Sequence, residues 1–393
     1  MDYNKIMESK IKMYKMEVIM NCFSMNTKIY FEENALEHLE TIAGQKVLLI
    51  VDPFVEESGM ITMITEPLER GKKEYEIFKE VEPDAPIDKI TQGVDKMLTY
   101  HPDVLVAVGG GSAIDSAKAI REFALKIESY GKIPLIAIPT TSGTGSEVTN
   151  ISVVSDPGSK TKQPLSSESL TPNEAILAVQ LVESVPAFIT ADTGMDVLTH
   201  ALEALVSSKH SCFSDALAEK AIELCGTYLL RSYRNPKDKE AREQMHYASC
   251  LAGMAFQTSS LGLNHGMAHQ LGGKFHIPHG RANAIILPYL IAYNIGTENK
   301  ETMRRYGKAA KILGLNCFND TMAVRSLIQW VKGMMKEMNM PGTISEIEKV
   351  PECEYESAVW DMAESALKDA CTMGNPRIPV KEEVVLLYQK LWK

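Results

Sequence analysis

Disulfide chemistry is the first thing this chain lacks. Its 393 residues include seven cysteines, Cys22, Cys212, Cys225, Cys250, Cys317, Cys353 and Cys371, odd in number and scattered, with no C-x-x-C pair. In a chain this long that pattern is not a disulfide framework; it reads as reduced, intracellular thiols and argues against a thiolate zinc site. Long apolar runs are missing too. The longest, Ala284 to Tyr293, reaches about half the ~20 residues a membrane span needs and is interrupted by Pro288. The first twenty residues mix Lys5, Lys10, Lys12 and Lys15 with Asp2, Glu8 and Glu17, without the apolar core of a secretory signal. No cluster of five or more Lys or Arg occurs, and 41 basic against 51 acidic residues leave a net charge of −10, which repels polyanions. Nucleic acid and membrane are therefore not expected partners, and the expected location is the cytoplasm.

What is present is an ordinary globular composition, 45 % apolar and 23 % charged, long enough for two or three domains. No internal repeat interrupts it. The first half alternates short Val- and Ile-rich runs (Lys46–Val51, Val104–Val108, Leu135–Ile138, Ala175–Val179) with helical patterns at Ile87–Leu98 and Ala113–Leu125. Strand–helix alternation of this kind predicts a parallel sheet covered by helices on both faces. Beyond Gly194 a 3.6-residue apolar period dominates, over Met195–Val206, Ala216–Leu230, Ala241–Phe256, Met303–Leu313, Ala323–Met338, Ala358–Ala370 and Glu382–Trp392, with no convincing strand. The reading is an α/β unit over residues 22–193, an all-α unit over 194–393, and an extension over 1–21. In that extension Met7, Ile11, Tyr14 and Val18 share one helical face, either a weakly docked terminus or a helical docking peptide.

Two loops carry phosphate-binding chemistry. Val104–Val108 runs into Gly109, Gly110, Gly111 and Ser112, and Ala113 opens a helical pattern. A helix start offers N–H groups and a positive dipole end, and glycines let phosphate oxygens approach the backbone. After Ile138, the segment Pro139-Thr140-Thr141-Ser142-Gly143-Thr144-Gly145-Ser146 supplies hydroxyls and glycines suited to phosphate and ribose. Two such loops at strand ends of one sheet converge on a nucleotide crevice. Asp52, at the end of Lys46–Val51, is placed to hold an adenine ribose 2′-hydroxyl and to repel a 2′-phosphate, which favours NAD over NADP.

Of nine histidines, His38, His101, His210 and His246 sit in no pattern. Asp196 and His200 are four apart in a helical segment, His265 and His269 repeat that spacing, and His279 follows in a Gly- and Pro-rich turn with His276 three residues earlier. Imidazole and carboxylate on adjacent helical turns suit a divalent metal without any thiol. Spacing alone leaves open which of the five histidines bind.

Taken together, GGGSAIDSAK (Gly109–Lys118), PTTSGTGSEVT (Pro139–Thr149), Gly194-Met195-Asp196 with Leu198-Thr199-His200-Ala201, and GLNHGMAHQLGGKFHIPHGRANAIILP (Gly262–Pro288) resemble the iron-dependent alcohol dehydrogenases, from about residue 22 to the end. Within that family the propanol and ethanol dehydrogenases of propanediol- and ethanolamine-utilisation systems look most alike. The resemblance implies a dehydroquinate synthase-like fold, with a Rossmann-like α/β N-terminal domain, an all-α C-terminal domain and the site between them. It implies an oxidoreductase that interconverts a short-chain primary alcohol and its aldehyde, such as propanal or acetaldehyde, with NAD(H) and Fe²⁺ or Zn²⁺. It assigns Asp196, His200, His265 and His279 to the metal and places His269 beside the nicotinamide, where it becomes the catalytic proton relay. Cofactor contacts fall on Asp52, Gly109, Gly110, Gly111, Ser112, Thr140, Thr141, Thr144 and Lys162. A homo-oligomer, dimer or larger, is expected. The extension over 1–21 departs from the usual family start; such extensions direct enzymes into bacterial microcompartments, which makes shell or cargo proteins expected partners. Two other readings stay open: a glycerol- or diol-type polyol dehydrogenase, and a non-catalytic microcompartment scaffold.

Overall fold

The computed structural model describes residues 22–128, 131–156, 158, 161–296 and 299–393. The proposed docking extension, 1–21, lies outside the described residues, apart from what adjoins it at Cys22. The strands are β1 (Lys28–Tyr30), β2 (Lys46–Val51), β3 (Glu74–Phe78), β4 (Val104–Gly109), β5 (Leu135–Pro139), β6 (Ile151–Asp156), β7 (Thr161–Ser166) and β8 (Glu174–Ile176). Six of them form a parallel sheet in the order β1-β8-β5-β4-β2-β3, while β6 and β7 pair as an antiparallel hairpin. Helices α1 (Pro53–Glu57), α2 (Thr62–Arg70), α3 (Ile87–Tyr100) and α4 (Gly111–Ile127) connect the strands.

Strand periodicity splits the core between the two sheet faces. Leu48, Ile50, Leu105 and Ala107 pack with Ile90, Val94 and Ile120 of α3 and α4. Val47, Leu49, Val51, Val104, Val106 and Val108 point the other way, onto Val55, Ile64 and Leu68 of α1 and α2. Central strands buried on both faces read as unbroken apolar runs, which is why the sequence pattern found β2, β4 and β5. It passed over β3, an edge strand whose Glu74 and Glu76 leave it half-solvated, the three-residue β1, and the hairpin. The run expected at Ala175–Val179 is strand only to Ile176, and a 3₁₀ turn takes over at Val179–Leu181.

Beyond the sheet the described chain is helical: α5 (Ala187–Val206), α6 (Cys212–Arg234), α7 (Lys239–Ser259), α8 (Leu263–Phe275), α9 (His279–Ile295), α10 (Lys300–Ile312), α11 (Asp320–Glu337), α12 (Glu352–Lys368) and α13 (Lys381–Trp392). One apolar cluster joins them, running from Ala191 on α5 to Leu391 on α13. α5 is its axis. It is buried almost without a break from Thr190 to Val206, and at Gly194 a methyl group would lie 2.1 Å from Leu229 Cδ1, so α6 packs directly on its backbone. The Ala284–Tyr293 run is not a loop-flanked strand or a span. It is the body of α9, buried so completely that it shows no amphipathic period, with Pro288 accommodated inside the helix. No described helix is long and apolar enough to cross a membrane.

Candidate active site at the strand ends and the helical core

The parallel register puts the phosphate-binding segments side by side. Val51 pairs with Val108, and Gly109 with Pro139, so the chain leaves β2, β4 and β5 at neighbouring points of one sheet edge. Asp52 N donates to Val108 O at 2.9 Å and Thr140 N to Gly109 O at 3.0 Å. Gly109 has φ +155, a conformation side chains avoid, and a Cβ there would lie 2.6 Å from Ala113 and 2.7 Å from Asp52. A Cβ on Gly111 would come within 2.8 Å of Thr144, and one on Gly110 within 3.5 Å of Thr141. The two loops therefore share one small space, and glycine keeps it open. No side chain caps the first turn of α4, whose N-cap is Gly110. That leaves a cradle of backbone donors and hydroxyls of the kind a pyrophosphate fills. Ser112 Oγ accepts from Asp84 N, and Asp52 caps α1 by accepting from Phe54 N. Lys162 lies on β7 opposite Ser155, its side chain outside the described set.

Three helices bring the metal-type ligands together. Asp196 and His200 lie one turn apart on α5, His265 and His269 on α8, and His279 is the first residue of α9, after Pro278 as N-cap. The sequence reading places His279 in a Gly- and Pro-rich turn; it is instead the first residue of the helix, entered from Pro278, whose ring fixes φ. Asp196, His200, His265 and His279 each offer a ligand atom within 4.8 Å of the others. Asp196 Oδ1 is 3.6 Å from His265 Nε2 and 3.5 Å from His279 Nε2. Ligands at about 2.1 Å around one tetrahedral ion stand roughly 3.4 Å apart, so the spacing fits a shared divalent cation. Among the described residues His200 Nδ1 is buried without a hydrogen-bond partner, an arrangement that costs free energy unless a ligand satisfies it.

Electrostatics agree. Burial pushes the Asp196 carboxyl up, yet His279, His200 and His265 outweigh it and hold it well below the usual carboxylate range. Burial lowers His200 to about 4, so it is neutral and ready to donate a lone pair. Burial also works against a charge on His265, but Glu203 and Asp196 pull the other way and lift it to about 9. A buried pocket that draws a proton between two carboxylates attracts a cation for the same reason.

Several neighbours escaped the sequence reading. Glu203 Oε2 is 2.5 Å from His265 Nδ1, while its Oε1 accepts from Asn264 N. Such a carboxylate fixes the tautomer and orientation of a ligating imidazole. Asn283 Nδ2 donates to Asp196 Oδ1 at 2.7 Å, and its own carbonyl oxygen accepts from Asn264 Nδ2 at 2.8 Å. The signal was available: Asp196, His200 and Glu203 fall at i, i+4 and i+7 on an apolar helix, and Asn283 is one turn after His279. His269 stands apart from the four. Its ring stacks on His279 with centroids 5.3 Å apart, and its Nδ1 is 2.8 Å from Asp369 Oδ2. His246, unplaced by pattern, is buried on α7 and hydrogen-bonds Ser142 of the second loop at 3.0 Å.

A parallel α/β sheet with phosphate-type loops, joined to a helical core that carries three histidines and an aspartate around one point, has the means to hold a nucleotide and a metal ion. Comparison with known proteins gives the family. The "Iron-containing alcohol dehydrogenase" profile matches residues 26–179, and "Fe-containing alcohol dehydrogenase family, C-terminal" matches 190–392. The chain is 40 % identical over 382 residues to NADPH-dependent butanol dehydrogenase of Clostridium saccharobutylicum, covering 93 % of this chain and 97 % of that one. It is 41 % identical over 365 residues to a 1-propanol dehydrogenase of Citrobacter freundii, covering 91 % and 96 %. An iron-containing alcohol dehydrogenase structure from Thermococcus thioreducens superposes with a TM-score of 0.86 at 31 % identity, covering 94 % and 99 %. The chain belongs to the iron-containing alcohol dehydrogenase family; it is an oxidoreductase that works on alcohols with a metal ion and NAD(H).

Proposed function

We propose that this enzyme interconverts a short, unbranched primary alcohol, C2 to C4, with its aldehyde, and that Asp196, His200, His265 and His279 hold its metal ion. The observation that carries the assignment is the meeting of these four donors around one point, with His200 Nδ1 unsatisfied. The substrate class rests on the relatives named for 1-propanol and butanol. When bound, the metal supplies Lewis acidity to the substrate oxygen and the nicotinamide carries the hydride. The chain's residues do the rest. Asp52, Gly109, Gly110, Gly111, Ser112, Thr140, Thr141, Thr144 and Lys162 bind the dinucleotide. Glu203 and Asn283 orient the ligands, and His269, with its Nε2 unbonded, moves the proton between substrate oxygen and solvent. Asp52 favours NADH, although the butanol relative is named for NADPH. The division into residues 22–193 and 194–393 belongs to this proposal, as do a homo-oligomer and encapsulation through residues 1–21.

The test is anaerobic turnover of propanal with NADH and with NADPH, on metal-stripped enzyme reconstituted separately with Fe²⁺ and Zn²⁺. Metal-dependent NADH oxidation with propanal, together with NAD⁺ reduction that is slower with 1,2-propanediol and glycerol than with 1-propanol, supports the reading. Faster turnover of the diols replaces it with the polyol reading. Deleting residues 2–20 abolishes co-purification with shell proteins if the extension is a targeting peptide; an unchanged distribution removes that part.

A further inference from the structure

We propose that Asp369 is the positioning residue of His269: it locks the imidazole as the Nδ1–H tautomer and so leaves Nε2 bare as the proton-accepting atom of the site. The inference rests on His269 acting in the reaction.

The geometry starts one helix away from the ligands. α12 ends at Lys368, and Asp369 is the N-cap of the 3₁₀ turn Ala370–Gly374. Its two oxygens have separate duties. Oδ1 accepts from Cys371 N at 2.9 Å, the capping bond, and Oδ2 faces His269 Nδ1 at 2.8 Å. The Cys371 thiol also hydrogen-bonds this carboxylate. Asp369 is thus tied into the backbone turn, and a carboxylate can only accept. His269 Nδ1 must therefore carry the hydrogen, and in a neutral imidazole Nε2 is then the acceptor. Among the described residues Nε2 makes no hydrogen bond, and about a third of the side chain is exposed.

His269, Asp369 and Cys371 also have the composition of a second metal site, their donor atoms within 4.8 Å of one another. Donor and acceptor already match throughout the trio, imidazole N–H and thiol S–H both to carboxylate oxygen, so the contacts need no second ion.

The same geometry fixes what a substitution does. In Asp369→Asn the amide oxygen keeps the capping bond to Cys371 N, since Asn is as good a cap as Asp. The amide NH₂ then takes the place of Oδ2 and donates to Nδ1, which forces the hydrogen onto Nε2. Fold and metal are retained while the acceptor is lost.

The experiment reads the tautomer directly, by ¹⁵N-histidine NMR of the Zn²⁺-loaded enzyme, with His269→Ala assigning the signal. Expected for the wild type is a protonated Nδ1, and for Asp369→Asn a protonated Nε2. Metal content stays at one ion per chain in both. Steady-state kinetics of Asp369→Asn show kcat reduced roughly 10²-fold, the low end of what proton transfer contributes, with KM for propanal unchanged. The same substitution in a His269→Ala background adds nothing. A wild-type Nε2–H, an unchanged tautomer in Asp369→Asn, two ions per chain in the wild type, or additive kinetic losses overturns the proposal. If His269→Ala leaves kcat intact, the proton role of His269 is what fails, and the tautomer measurement still decides whether Asp369 sets it.

Discussion

Replacing Glu147 by glutamine should stabilise this enzyme near neutral pH and do so much less in mild acid. Glu147 lies in the 3₁₀ turn Ser146–Val148 that closes the second phosphate loop, and it is buried. Around it are Lys118 and Asp115 of α4 and Cys250 of α7. Lys118 Nζ, fully buried, donates to Ser146 Oγ, Thr149 Oγ1 and Ile151 O and is 3.9 Å from Asp115 Oδ1. Asp115 accepts from Ser146 Oγ and Val153 N. One buried ammonium faces two carboxyls, and it cannot neutralise both. Burial dominates at Glu147 and raises its carboxyl from 4.5 to about 7, against the opposing pull of its own backbone amide and Lys118. A carboxyl whose folded pKa lies above its unfolded value contributes stability that is full below pH 4.5 and lost as pH rises through about 7. At 1.36 kcal/mol per pH unit the displacement amounts to about 3 kcal/mol. Glutamine copies the protonated carboxyl and cannot ionise, so it escapes this loss. Urea unfolding of wild type and Glu147→Gln at pH 5, 6, 7 and 7.5 checks it. The window stops below 8, where Lys118 begins to lose its proton. Other carboxyls and histidines titrate alike in both proteins and cancel. The expected gap is about 1 kcal/mol at pH 5 and grows to about 3 kcal/mol in favour of glutamine by pH 7.5. A gap that does not change with pH refutes the argument.

The metal assignment separates two histidines one turn apart: His265→Ala loses bound metal on gel filtration, whereas His269→Ala keeps it and loses turnover. Equal metal loss would make His269 a ligand. Glu203→Gln, which weakens the hold on His265 Nδ1, lowers metal affinity by about 10–100-fold in a competitive chelator titration, with the fold intact. Gly111→Ala pushes a methyl toward Thr144 at 2.8 Å and spreads the two phosphate loops. KM for NADH then rises several-fold while metal content stays constant.

The legible part of this protein is the part in which one residue pattern has one physical meaning. β2, β4 and β5 are buried on both faces and could only appear as continuous Val and Ile runs, and glycines at Gly109 and Gly111 mark places where an added Cβ would lie within 3 Å of a neighbouring side chain. The ligand histidines showed their helical spacing, yet spacing did not separate His265 from His269. What separates them is the partner of Nδ1, Glu203 for one and Asp369 for the other, and Asp369 is a hundred residues away from the imidazole it holds. Long-range partners leave no periodic trace. α9 was illegible for the opposite reason: a helix wrapped on all sides has no polar face, and its apolar run has no period to detect.

The second loop and the helical core are also mechanically one unit. The segment Ser142–Gly145 hydrogen-bonds His246 of α7 through Ser142. At Gly145, φ +64, a Cβ would lie 2.6 Å from the Gly253 Cα of α7. Any side chain at Gly145 or Gly253 would therefore wedge the loop away from α7. The helical core thus does more than carry the proposed ligands: it sets where the proposed dinucleotide loop stands, and a misplacement of about 1 Å is enough to cost roughly 10²-fold in rate. Two glycines face to face let the second loop lie directly on α7, so the helical core sets where the segment proposed to hold the dinucleotide stands.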